Sequence, residues 1–554
     1  MSINNSLFLD SVTFKNLNTS TGSDRYYIAN TGNARMKGKV VLDNALAGMN
    51  FGNSGGTTTL DSSASMSVLS TFTGNLTLKN FIQKGSNSVS IALNNSSTKL
   101  ILNSGTSFEG SFTYYGRNIQ LNGTTFNSTT EITRYGTSGD VSSGGNIFNG
   151  NTTIRDSSSH NHDFILANSN IDIFNNTITF IQKGTNVNIL PAYNSNTIFS
   201  GDINFISTSP IQCGANGGKV IFNGNYVQYL TKNSVAPTFR KIEINKHRSF
   251  VKLGFPVSLN DSLILAEGIL ITDTTNILAL GVNGIILGGN DSSYIFGPMQ
   301  KLGNSKFEFP LGDSLLSTGP YHPLSISPPS SITDEFQVQY FPDSLNISGT
   351  LDSVDLGICE YWNVKRIAGN STIKVSLGWN SNSCQIDDQQ YMVVSGFDSL
   401  WHNYAKFVSN HTTEVSGIIQ SLNEASITDH MYFTISKYST HPISYTSVNR
   451  VASDHPRGLY VDKFITLYSD QNNILQLDRN KSILGVDLSP FGSPDGVYEK
   501  EIELLNYVKE NRFTYLILYG MGSLFNGTLQ TNNPTLYNFL TNRLCEFMQL
   551  AKNN

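Results

Sequence analysis

The chain has 554 residues, of which 38% are hydrophobic and only 14% charged, and 36 Lys and Arg stand against 41 Asp and Glu for a net charge of -5. That length exceeds one ordinary domain. A charge content well below the roughly 25% of ordinary soluble chains, replaced by Asn, Ser, Thr and Gly, excludes a charge-driven disordered chain and a phosphate-binding surface, so nucleic acid is not expected as a partner.

The N-terminus, "MSINNSLFLDSV", lacks a basic region followed by an apolar one, so no signal peptide is visible, and no stretch of about 18 uninterrupted apolar residues offers a membrane span. Further along, similar strings recur: "FTGNLTL" from Phe72, "FEGSFTY" from Phe108, "FNSTTEI" from Phe126, "FNGNTTI" from Phe148, "FNNTITF" from Phe174, "FSGDINF" from Phe199 and "FNGNYVQ" from Phe222. The last five start 22, 26, 25 and 23 residues apart, a period that signals a solenoid, propeller or array. Each unit holds short alternating runs broken by Asn, Gly and Ser, with no helical stripe. Coils of three short strands and three turns suit a right-handed parallel β-helix over residues 1–290. One Phe per coil would point inward and stack on its counterparts, and Asn-Gly would turn the corner through a positive φ. The alternative is an array of β-sandwiches with coincidental spacing. "FIQKG" at 81–85 and again at 180–184 suggests duplication within the solenoid.

The run from Phe148 to Phe205, with "LANSN" and "AYNSNTIFSG" followed by "GANGG", resembles the repeats of very large surface or secreted proteins of Bacteroidota, a resemblance covering roughly residues 70 to 230. It implies export, commonly by the type IX system, a location outside the cell or on its surface, and a scaffold or stalk that contacts glycans or other cells.

"LNDSLILAEGILITDTTNILALGVNGIILGG" (259–289) reads as three further strands, and the Pro cluster in "YHPLSISPPSS" (321–331) as a boundary. Residues 291–440 are expected to form an antiparallel β-sandwich from "EFQVQYF", "EYWNVKR", "STIKVSLGW", "QYMVVSGF" and "MYFTISKY". This module also resembles the one that follows the repeats in the same Bacteroidota proteins. Trp362, Trp379 and Trp401 all fall within it, on alternating strands whose inward face is the more natural place for Trp than a sugar platform. Of the four cysteines, only Cys359 and Cys384 lie near one another. They fit either a disulfide in an exported chain or two thiols on neighbouring buried strands.

Residues 441–554 change texture. "GLYVDKF" (458–464) and "FTYLILYGM" (513–521) read as strands, and "YEKEIELLNYVKEN" (498–511) and the segment from Pro534 as helices, an alternation that indicates parallel β/α units. This part resembles the opening of a glycosidase-like (βα)8 barrel. Such a barrel needs about 250 residues, so the segment is expected to be a truncated, TIM-barrel-like piece of a longer protein. Asp462 and Tyr519 end its two strands, where barrel active sites gather, and are the candidate catalytic residues. One carboxylate without a placed partner falls short of the pair that glycoside cleavage uses, so the chain is expected to be inactive, and a turn cap for Asp462 and a packing role for Tyr519 are the plainer readings.

"SHNHD", with His160, His162 and Asp163, offers two His on one side of a strand but no third ligand, and Asp387-Asp388 lacks a calcium loop, so neither a metal nor a cofactor is expected. The rival to a scaffold is a polysaccharide-acting enzyme or a phage tail-spike-like β-helix. Both would need clustered Asp, or Asp with Arg or Lys, on successive coils, and no such cluster stands out between residues 70 and 230.

Overall fold

The structure is a computed structural model that describes residues 2–17, 26–95, 98–136, 138–158, 162–184, 188–313, 319–347, 349–351, 354–384, 386, 391–405 and 416–438, together with two strands at 458–461 and 515–518. It divides into two units, residues 1–438 and 439–554. Among the described residues there is no α-helix.

The first unit begins as a parallel β-solenoid of about 12 turns. Each coil contributes one short strand to each of three faces. On the first face, Thr125–Phe126, Ile147–Phe148, Asp172–Phe174, Thr197–Phe199 and Val220–Phe222 lie on successive coils and pair in parallel. On the second, Phe112–Gly116, Thr130–Arg134, Thr152–Asp156, Ile178–Gln182 and Ile203–Ser207 pair residue for residue. On the third, Leu76–Leu78, Lys99–Asn103 and Asn118–Asn122 do the same. Strand alternation then sends every second side chain inward at the same place on every coil.

The expected phenylalanine ladder is present. Phe126, Phe148, Phe174, Phe199 and Phe222 are register partners and each is only 1% exposed. Neighbouring rings from Phe126 to Phe199 stack with centroids 4.5 to 5.3 Å apart and planes within 9°. The ladder extends to Phe108, then passes to Gln83, Leu60, Met36 and Phe8 on one side and to Ile244 and Leu265 on the other.

Three readings of the repeat need correction. Phe72 is not a ladder residue: the strand of "FTGNLTL" is Leu76–Leu78, which lies on the third face. The two "FIQKG" strings are not in register either, since Phe81–Gln83 is on the first face and "FIQ" at 180–182 on the second. What they share is a buried amide at a corner: Gln83 donates to the Lys84, Gly85 and Asn87 carbonyls of the loop that follows, whereas Gln182 accepts the Ile189 N–H and donates to Ser209 on the next coil. Finally, Gly150 and Gly201 are absent from the positive-φ residues, whereas Gly224 has φ 93°. At Gly150 and Gly201 the requirement is steric: a Cβ would overlap the backbone at Ser128 or Asn176 on the preceding coil. The Asn before the glycine has its own role at this corner, where Asn175 donates to Asn149 and Asn149 to Asn127, each at 2.7 Å.

Parallel pairing continues past residue 290, to Met299–Leu302 on the third face. The other edge of that strand pairs antiparallel with Glu335–Phe341, and the sheet goes on through Tyr361–Ala368, His430–Tyr438 and Met392–Phe397. A second antiparallel sheet, Phe307–Phe309, Leu324–Ile326, Val375–Asn380 and Ser416–Gln420, completes a sandwich-like region. The last coil's third-face edge is thus covered by strands of the same sheet, which satisfies its backbone groups. Trp362, Trp379 and Trp401 are all buried here, and Trp362 donates its indole N–H to the His322 carbonyl at 3.0 Å. Cys359 and Cys384 are joined by a disulfide, whereas Cys213 is free and buried.

In the second unit, Gly458–Val461 and Tyr515–Leu518 pair in parallel. The expected helices lie outside the described residues.

Replacing Phe174, held between Phe148 and Phe199, by Ala is expected to destabilise the solenoid by about 3 to 5 kcal/mol. Thermal unfolding followed by circular dichroism on the full chain checks this; an unchanged transition would refute the inward ladder.

Candidate functional site

Asp462 and Tyr519 directly follow the two paired strands of the second unit, and both lie outside the described residues, as do His160, Asp387 and Asp388. Of the "SHNHD" motif, Asp163 accepts a hydrogen bond from Asn188 at 2.9 Å. Among the described residues no three His, Cys, Asp or Glu side chains gather in a way that could hold a metal, and no helix is long and apolar enough to cross a membrane.

An Asp and Arg cluster on successive coils does exist, contrary to the sequence reading. Arg134 ends a second-face strand and pairs in register with Asp156 on the next coil. Its guanidinium lies 2.7 Å from Asp156 and 2.9 Å from Asp140, and Lys99 stands 3.0 Å from the other Asp140 oxygen. Arg134, Asp140 and Asp156 are 0% exposed, so the cluster is inside the coil and no polymer reaches it. Its work is structural. Asp140 accepts the Ile119 N–H at 3.0 Å, and the Ser142 hydroxyl accepts that of Leu121, where the third-face ladder lacks a backbone partner. Burial pushes the Asp140 carboxyl up, and Arg134 and then Lys99 oppose it. The Arg134 Nε contact is close but not aligned as a hydrogen bond, so charge holds it.

A second buried set sits in the sandwich-like region. The Tyr340 hydroxyl donates to Glu360 at 2.8 Å, and the His322 ring stacks on Tyr340 and stands 3.2 Å from the same carboxylate oxygen. Burial holds His322 below the usual histidine range despite Glu360. All three are under 7% exposed, which suits a pin between strands rather than a site open to solvent.

The exposed chemistry is on the second face of the solenoid. Tyr115 and Tyr135, from successive coils, point outward with ring centroids 4.8 Å apart. Tyr115 is 51% exposed. The Arg117 guanidinium lies 4.9 Å from the Tyr135 ring centre, and the Tyr135 hydroxyl donates to Asn94 at 2.7 Å. Burial and then the neighbouring Tyr115 raise the Tyr135 phenol, and Arg117 opposes them. Strand alternation places Thr133 and Arg155 below Tyr115 on the next two coils. The result is a fixed aromatic shelf ringed by amide, hydroxyl and guanidinium groups. It can stack on a flat, partly apolar ring and bond its polar edges. The sequence reading sought Trp as the aromatic platform and passed over these tyrosines. Their signal was Tyr at outward positions on one strand and directly after the aligned strand of the next coil, visible once the coil register was known.

The chain matches no family model, no curated protein and no solved structure.

Asp172 gives a pH test of the buried polar columns. It is 1% exposed, accepts the Asn146 backbone and side-chain N–H groups at 2.9 and 2.8 Å, and burial pushes its carboxyl up to about 6. Because the folded value is raised above the ordinary carboxyl value of 3.8, its contribution is fully present below that value and is lost as pH rises through about 6. The loss amounts to roughly 3 kcal/mol. Denaturant unfolding between these two pH values should show this decline in the native chain and a flatter profile in Asp172→Asn.

Proposed function

We propose that this chain is a structural and adhesive module of an exported bacterial cell-surface protein, in which the solenoid acts as a stalk and its second face contacts glycan. The observation that carries the reading is the Tyr115–Tyr135 shelf, exposed and held by Arg117 and Asn94 on a surface built by backbone pairing between coils. Aromatic rings are costly to leave in water, and a preformed pair flanked by hydrogen-bonding groups suits the apolar face and hydroxyl edge of a pyranose.

The finer assignment, to the large Bacteroidota surface proteins of the type IX kind with a glycosidase-like barrel begun at the C-terminus, rests on the repeat strings and on "RGLYVDKF" and "FTYLILYGM". The parallel pairing of the strands in those last two strings is compatible with it. A polysaccharide-cleaving solenoid is the weaker reading, because the Asp and Arg cluster that such chemistry uses is turned inward here.

Screening the full chain against immobilised polysaccharides should find binding that falls about tenfold, ~1.4 kcal/mol, in Tyr115→Ala with no change in thermal unfolding. Binding that survives Tyr115→Ala and Tyr135→Ala together would remove the shelf from the account. Turnover of a glycan abolished by Asp462→Asn would replace the scaffold by an enzyme.

A further inference from the structure

The second face carries more than the tyrosine shelf. Its outward positions form two parallel columns along the solenoid axis. One runs Tyr115, Thr133 and Arg155, following the strand register, and ends at Ile181, which is buried. The other runs Arg117, Tyr135, Ser157, Lys183, fixed by the backbone bonds of Tyr135 to Gly116, Ser157 to Arg134 and Lys183 to Asp156. Three cations, Arg117 and Lys183 in the second column and Arg155 in the first, therefore lie on three of four successive coils, in a chain whose net charge is -5. Among the described residues Arg155 and Lys183 make no ion pair and no side-chain hydrogen bond, and Lys183 is exposed. On the same face Glu131 is exposed beside Thr133 and paired in register with Thr113 and Thr153 rather than with any of the cations.

From this we propose that the second face binds an anionic polysaccharide, lying along the solenoid axis, with a pyranose ring on Tyr115 and Tyr135 and its carboxylate or sulfate groups on Arg117, Arg155 and Lys183. The proposal rests on the glycan-contacting reading given above and adds the charge, direction and length of the ligand. Coils rise by about 4.8 Å, so Arg117 to Arg155 spans two coils and Arg155 to Lys183 one more. A rigid row of cations at such intervals matches a polymer with regularly repeated anionic groups better than a single small anion, which would need the cations to converge. Arg155 and Lys183 are solvated at present, so pairing them with a ligand breaks no internal bond. Guanidinium groups bind carboxylate and sulfate through paired donors, and the Tyr135 hydroxyl, whose proton goes to Asn94, leaves its oxygen to accept from a ring hydroxyl. The order of residues along the axis also makes the site polar in direction, with the aromatic shelf at the N-terminal end and the free cations beyond it.

The test uses the full chain and four soluble probes: an oligomer of β-1,4-linked glucuronate, the cello-oligosaccharide of the same length, a sulfated oligosaccharide and polyglutamate. Calorimetric titration at low salt should show the glucuronate oligomer binding at least about tenfold more tightly than its neutral counterpart, with the difference shrinking as salt screens the charges. Arg155→Glu with Lys183→Glu should abolish that preference and leave thermal unfolding unchanged, because neither side chain has a partner to lose. Tyr115→Ala should weaken both saccharides. The sulfated oligosaccharide, of equal length, separates the two sources of negative charge, and preference for either supports the proposal. Equal binding of the charged and neutral saccharides, lost in Tyr115→Ala, would overturn the anionic assignment while leaving the glycan-contacting reading in place. Polyglutamate binding as tightly as the glucuronate oligomer would overturn the saccharide assignment. Binding of none of the probes, sulfated or not, by a chain that unfolds cooperatively would overturn both.

Discussion

The constraint on which the rest depends is the backbone hydrogen bonding from each coil to the next. In a parallel pair every residue sits above one fixed partner, so a position once chosen as inward or outward is repeated along the axis. That repetition turns a loose similarity between strings into columns. Phe126 to Phe199 become one aromatic stack, Asn127, Asn149 and Asn175 an amide ladder, and Arg134, Asp156 and Gln182 a buried polar column at a corner. The same closeness of backbones explains Gly150 and Gly201, where any side chain would meet the coil before.

A solenoid made in this way has two difficulties, its corners and its ends. At the corners backbone polar groups turn away from the ladder, and the interior answers with side chains. Asp140 and Ser142 accept N–H groups that find no carbonyl, and Asn146 takes those of Gly123 and Thr124 while giving its own to Asp172. Carboxylates placed so deep need compensation, which Lys99 and Arg134 supply to Asp140 by charge and Asn146 supplies to Asp172 by hydrogen bonds. At the C-terminal end the antiparallel sheet continues the third face and covers its edge, so the sandwich-like region closes the stack as well as forming a module of its own.

The outer surface follows from the inner one. Because the backbone fixes the columns, a functional group on the second face is as rigid as the strand that carries it, and two tyrosines from coils 20 residues apart in sequence meet at 4.8 Å. Such a surface needs little reorganisation to bind, which favours recognition of an extended ligand with its own repeat.

The sequence alone determined the period, the strand-and-turn character, the inward phenylalanines and the change to an antiparallel region. Each of these is written in local alternation and turn residues. It also placed all three Trp in one module. What it did not determine was register. Phe72 and "FIQKG" resemble ladder residues as strings but sit on the wrong face, and the Arg134, Asp140 and Asp156 cluster looked like scattered charges. Likewise Tyr115 and Tyr135 were only two tyrosines until a coil separated them. Coil lengths vary by several residues as the corners change, so counting along the chain loses the alignment that hydrogen bonds between coils restore. Which residues are neighbours, and therefore which chemistry is buried and which faces solvent, was decided by tertiary pairing.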